Sequence, residues 1–314
     1  MERVRIGHLS TFYHTAVFLM AKGDAPEKLG REIEWRLFGT GPAIVNAMEK
    51  GEIDLAYIGL PPAVIGIERG VRIVCVAGGH LDGTVLSGRL RYRGYPDLPD
   101  LGGVLGQFSG QKIGVPGRGS IHDVIIRELL ERSGLDNDVE VVNFAWADLV
   151  LEAVVKDRVS AAVGTPALAV AVRRYADGHI LYPPSGLWPN NPSYGILASV
   201  DFLERERDLV ENFLVLHEEA TSILRNSAPE AARLISSYVG FIDEEFVLET
   251  LKVSPKYCTM LTDDFIACTM EFVGVLTKLG YIRRRITAEE IFDLSLISKL
   301  HPGKDHYGEG LATA

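Results

Sequence analysis

Along the first half of the chain, short apolar runs alternate with stretches whose apolar positions recur at helical spacing. Arg5-Ile6-Gly7 and Lys112-Ile113-Gly114 each close a short buried strand. A polar loop follows each, and then a helical pattern, over residues 15–22 in one case and 121–132 in the other. Further on, residues 44–64 (IVNAMEKGEIDLAYIGLPPAV) and 149–170 (LVLEAVVKDRVSAAVGTPALAV) read alike: helix, charged turn, apolar strand, Gly/Pro loop, helix. The two stretches stand at nearly equal distances from their first strands, so the chain carries an internal repeat.

Strands alternating with helices build βαβ units around a mostly parallel sheet, and each copy is expected to form one open α/β lobe. Between the copies, residues 78–110 are rich in Gly and polar side chains, and residues 182–192 (YPPSGLWPNNP) hold four prolines. Both stretches predict crossings between lobes, the second because proline interrupts helices and central strands alike. From Val200 onward the pattern is almost wholly helical, over residues 201–226, 229–239, 243–253 and 263–279. These helices are expected to return to the first lobe, which gives lobe one as residues 1–88 plus 192–314 and lobe two as an inserted 89–191. Residues 301–314 predict a mobile tail.

Composition narrows the function. A chain of 314 residues, 47% hydrophobic and 24% charged, holds enough apolar surface for two cores. Its formal net charge of -10 argues against nucleic acid, because binding phosphates requires a basic surface, and the short run Arg89 to Arg93 does not supply one. Cys75, Cys258 and Cys268 form no CxxC pair, and the eight histidines form no HExxH motif, so neither metal nor cofactor is expected. No apolar run reaches the roughly 18 residues of a membrane span. Residues 15–21 are too short for a secretory leader and lack a cleavage site. The chain is expected outside the cytoplasm if a leader has been removed, and in the cytoplasm if Met1 is the native start.

Ligands of open α/β sheets bind where strand ends lead into helix N-termini. Four loops occupy such places. Ser10, Thr11, Phe12, Tyr13 and His14 put hydroxyls and rings before a helix; Thr40 and Gly41 form a small-residue turn; Gly59 and Leu60 have Thr165 as their repeat counterpart. The fourth, residues 116–122 (PGRGSIH), combines glycines that bare backbone N–H groups, an N-cap serine and a guanidinium, a set suited to an oxyanion. From it come Arg118, Gly119, Ser120 and His122. Trp146 is a candidate apolar wall, and Tyr194 a contact from the second crossing. GxGxxG, GxxxxGK[ST] and GxSxG are all missing here, which disfavours nucleotide and hydrolase chemistry.

The pieces RIGHLS, AIVNAMEKGEIDLAYIGLPPAVI, KIGVPGRGSIHDVIIRELLERSGL, AVGTPALAVAV and SYGILAS, in this order and spacing, resemble the nitrate/sulfonate/taurine and thiamine-pyrimidine-precursor group of solute-binding proteins of ABC importers. The resemblance spans residues 4–285. It implies a two-lobed periplasmic-binding-protein-like fold of type II and a monomer that closes on a small, anionic solute without chemistry. It also implies delivery to an ABC permease and its ATPase subunit. By position it puts contacts on Ser10, Thr11, Tyr13, Thr40, Gly41, Gly59, Leu60, Arg118, Gly119, Ser120 and Thr165. One fold hosts several functions, and His14 and His122 beside the cleft keep a cytosolic enzyme acting on a small metabolite, such as a pyrimidine precursor, as the alternative.

Overall fold

The computed structural model describes residues 3–312. In chain order its strands are β1 (Val4–Leu9), β2 (Ile33–Phe38), β3 (Leu55–Ile58), β4 (Ile73–Leu81), β5 (Val85–Arg89), β6 (Lys112–Pro116), β7 (Glu140–Phe144), β8 (Ala161–Gly164), β9 (Gly178–Ile180) and β10 (Pro192–Ser199). They form two five-stranded sheets, ordered β2-β1-β3-β10-β4 and β7-β6-β8-β5-β9. In each sheet four strands run in one direction and the fourth in order runs against them: β10 is antiparallel to β3 and β4, and β5 to β8 and β9. The α/β class, the two sheets flanked by helices and the sequence repeat therefore agree. The helix–strand–helix runs at 41–68 and 147–175 occupy equivalent places in the two sheets.

Local chemistry explains why the helices begin where they do. Thr40, Ser120 and Thr165 cap their helices by accepting hydrogen bonds from the N–H groups of Ala43 (3.4 Å), Asp123 (3.3 Å) and Leu168 (3.2 Å). Parallel strands covered by helices on both faces bury their side chains throughout, and β3, β8 and β4 are buried along their whole length.

Several readings of the sequence need correction. Gly78 and Gly79 do not open a loop; they lie in β4, where a Cβ on Gly79 would stand 2.0 Å from the ring of Tyr194, so glycine admits that ring against the strand. The first crossing is consequently short, at residues 82–84, and β5, which straddles position 88, pairs in the second sheet. The Pro-rich stretch contains a helical turn at Pro184–Leu187 and ends in β10, a central strand. Pro192 is tolerated as the first strand residue, where a missing N–H does little harm.

The C-terminal helices pack mainly on the first lobe: Arg207–Asn226 and Ala228–Val239 on Thr15–Lys22, and Asp263–Lys278 on Leu60–Glu68. Helix Glu244–Val253 departs from this pattern and packs on Pro166–Tyr175 of the second lobe. Arg174 fixes that contact with ion pairs to Asp243 (2.8 Å) and Glu249 (3.0 Å). The expected mobile tail is docked over residues 301–312: His301 and Tyr307 are buried, the Tyr307 hydroxyl donates to the Met260 carbonyl (3.0 Å), and the Ala312 N–H donates to the Arg225 carbonyl (2.8 Å).

Candidate functional site: the interlobe cavity

Between the two sheets lies a cavity of about 40 Å³. The first lobe supplies Leu9, Ser10, Thr11, Tyr13, His14, Gly39, Thr40, Gly41, Gly59, Pro62 and Ser193; the second supplies Pro116, Ser120, Ile121, His122, Ala147 and Thr165. The cap or first residue of six helices stands in this lining, three from each lobe. First-turn N–H groups have no partner inside their own helix and carry the positive end of its dipole, so the space favours electron-rich oxygen.

None of the lining residues is Asp, Glu, Lys or Arg. The polar side chains are hydroxyls and imidazoles, and several are already engaged. Ser120 donates to the Pro116 carbonyl (2.9 Å) while capping its helix, Ser193 accepts from the Gly83 N–H (2.5 Å), and His122 Nδ1 pairs with the Thr84 hydroxyl (2.9 Å). Two buried atoms are not engaged: among the described residues, Thr11 Oγ1 and His14 Nδ1 have no hydrogen-bond partner. An unmade hydrogen bond at a buried polar atom costs about 1–3 kcal/mol, so this pair is the place where a ligand gains most.

His14 is held by rings: Tyr194 at 4.1 Å, Tyr13 at 4.6 Å edge-on and Tyr57 at 6.3 Å. Burial, then the neighbouring His80, His8, His122 and His217, push its pKa well below the ordinary histidine value. Burial likewise lowers His122 to about 4, His217 to about 4 and His80 to about 3. These imidazoles are neutral in the folded chain at pH 7 and charged in the unfolded chain below about pH 6.5. The unfolded state thus binds more protons between pH 6.5 and 4, and stability is lost as the pH falls through that range, by about 1.4 kcal/mol per pH unit per proton. The urea midpoint is expected to be lower at pH 5 than at pH 7.5; an unchanged midpoint would contradict buried neutral histidines.

Residues 1–240 match the NMT1-like family, more than half of the chain. The chain belongs to that family. Among curated proteins, this NMT1-like chain is 25% identical over 232 residues to a Brucella abortus (strain 2308) protein named as a binding protein, spanning 72% of this chain and 68% of the relative. A Brucella suis biovar 1 (strain 1330) protein of similar name matches to the same extent. Among solved structures, the alkanesulfonate-binding protein SsuA of Xanthomonas axonopodis pv. citri, bound to MOPS, superposes with TM-score 0.77 at 16% identity, over 92% of this chain and 98% of that one. The periplasmic nitrate-binding protein NrtA of Synechocystis PCC 6803 superposes with TM-score 0.76 at 12% identity, over 95% and 87%. Family and fold agree with the resemblance read from the sequence.

Of the residues singled out from the sequence, Ser10, Thr11, Tyr13, His14, Thr40, Gly41, Gly59, Ser120, His122 and Thr165 meet at the cavity of the NMT1-like chain. The others stand elsewhere. Arg118 is exposed with its guanidinium 5.8 Å from the Tyr281 ring, because Gly117 and Gly119 (φ 21° and 80°) turn the loop and the Thr40 side chain closes the space at Gly117. The Gly119 N–H is occupied by Asp123 Oδ2 (2.9 Å). Leu60 is core, and Phe12 packs edge-on against Phe246 at 5.9 Å. Trp146 forms the wall of an outer groove that shares Gly39 and Thr40 with the cavity. Tyr194 lies behind His14, and its neighbour Ser193 reaches the cavity instead.

Gly39 is a lobe-to-lobe contact that the sequence did not single out. A Cβ there would stand 2.4 Å from the Ala145 carbonyl and 2.9 Å from the Trp146 ring, both on the opposite lobe. Gly39→Val is expected to hold the lobes apart. Ligand affinity should fall about tenfold or more with the urea midpoint little changed, and small-angle scattering should show a larger radius of gyration; a variant that binds and scatters like the parent would refute the contact's role.

Proposed function

We propose that this protein captures a small anionic solute between its lobes and delivers it, outside the cytoplasm, to an ABC-type permease, performing no chemistry on it. One observation carries the reading. Six helix starts surround an uncharged cavity that still contains two unpartnered buried polar atoms, Thr11 Oγ1 and His14 Nδ1. Neutral dipoles preorganised in this way select an oxyanion by solvating it, and bind it without a counter-cation. About 40 Å³ admits a few non-hydrogen atoms, given that a single water needs about 10–15 Å³. A nitrate, a bicarbonate or the head group of a sulfonate or carboxylate is of suitable size. Membership of the NMT1-like family, the likeness to sulfonate- and nitrate-binding proteins and the binding-protein relatives support the same role.

The test is a thermal-shift panel of nitrate, bicarbonate, alkyl and aromatic sulfonates, taurine, carboxylates and pyrimidines. A ligand present at 100 times its Kd stabilises the folded state by about 2.7 kcal/mol, a shift of several degrees. One anion class should raise the melting temperature and be recovered unchanged after incubation. A response to pyrimidines alone, or conversion of the bound compound, would overturn the reading.

A further inference from the structure

On the first lobe, the docked tail brings together side chains that the cavity does not use. Glu218, on helix Arg207–Asn226, and His301 and His306, from the tail, each place one ligand-capable atom within 4.8 Å of the others. His301 is buried, with Nδ1 3.1 Å from Glu218 Oε2 and Nε2 3.0 Å from the Lys304 carbonyl. Both neighbours are acceptors, and a neutral imidazole has only one N–H to donate. A second proton or a metal ion at Nδ1 resolves the mismatch that a single proton leaves.

His306 is oriented in the way metal-binding histidines commonly are. Its Nδ1 lies 2.8 Å from Glu309 Oε1, and a carboxylate at one ring nitrogen fixes the tautomer that leaves the other as a lone pair. Four residues separate His301 from His306, within the spacing of paired histidine ligands in zinc sites. The buried Cys258 Sγ lies 3.8 Å from His301 Nε2, outside the three-residue group. Two imidazoles and a carboxylate beside a thiol suit a first-row transition metal; calcium and magnesium prefer oxygen alone.

We propose that Glu218, His301 and His306 form a binding site for a divalent transition-metal ion of the zinc type, which ties the C-terminal tail to the first lobe. Glu218 and His301 are 83 positions apart, so the ion would close a long loop of chain. None of the three residues lines the interlobe cavity, so the two proposals are tested separately.

The test uses the full chain freed of any affinity tag and stripped with chelator, titrated with Zn²⁺ by calorimetry and with Co²⁺ by visible absorption. One ion per chain is expected, with the d–d bands of a low-coordinate cobalt site and a melting temperature that rises with Zn²⁺ and returns on chelation. His306→Gln removes a half-buried ligand and Glu218→Gln keeps a hydrogen-bonding amide, so both variants should fold. Each should lower metal affinity by about tenfold or more. Absence of stoichiometric uptake by the parent chain, or uptake of equal affinity in His306→Gln, would overturn the proposal.

Discussion

Asp123→Ala is expected to lower the unfolding free energy by about 3 kcal/mol, toward the low end for breaking a buried charge cluster because Arg127 keeps some access to water. The Asp123 side chain is fully buried and accepts hydrogen bonds from the Gly119 N–H (2.9 Å), Arg127 Nε (2.8 Å), Asn143 Nδ2 (2.8 Å) and the Tyr281 hydroxyl. Alanine strands all four donors at once. Tyr281 follows helix Asp263–Lys278 of the first lobe, while Asp123 belongs to the second, so the same substitution also removes a contact between the lobes. Urea unfolding with an unchanged slope measures the effect; a loss under about 1 kcal/mol would show that the cluster is not a stability centre.

The largest effect on binding is expected at the two unpartnered atoms. Thr11→Val replaces a hydroxyl by a methyl of similar shape, which removes a buried group that has no partner in the free protein. Its stability should stay level or rise, while affinity for the solute identified by the panel falls about tenfold to a hundredfold, the equivalent of one hydrogen bond to a charged group. His14→Phe keeps the packing with Tyr13 and Tyr194 and removes both ring nitrogens, with a loss of at least the same size expected. Calorimetry on both variants decides the matter. Equal affinity in parent and Thr11→Val would move the ligand to another part of the cavity.

The repeat made most of the fold legible, because each copy restates the same helix–strand–helix pattern and each strand carries its burial in its own residues. β10 was harder to read. Its run PSYGILAS begins with proline, and its central place depends on β3 and β4, which lie more than a hundred positions upstream. In the site, the loops were legible and the direction of individual side chains was not. Ser193 and Tyr194 differ by one position, and strand parity sends one to the cavity and the other behind it. Arg118 sits between two glycines of positive φ, and its place in the outer groove beside Trp146, outside the cavity, follows only from the folded loop. The docking of residues 301–312 rests on contacts with Cys258, Met260 and Arg225, which no local pattern announces.

The position of β10 also dictates an order of assembly. The second sheet is drawn from one uninterrupted stretch, Val85 to Ile180, and is complete when that stretch has left the ribosome. The first sheet lacks its fourth strand until Ser199 has emerged, and until then β4 has no partner to join it to β3. The inserted lobe is therefore poised to fold while the lobe that encloses it in sequence still waits with an open edge, and that interval is when this chain is most exposed to faulty strand pairing.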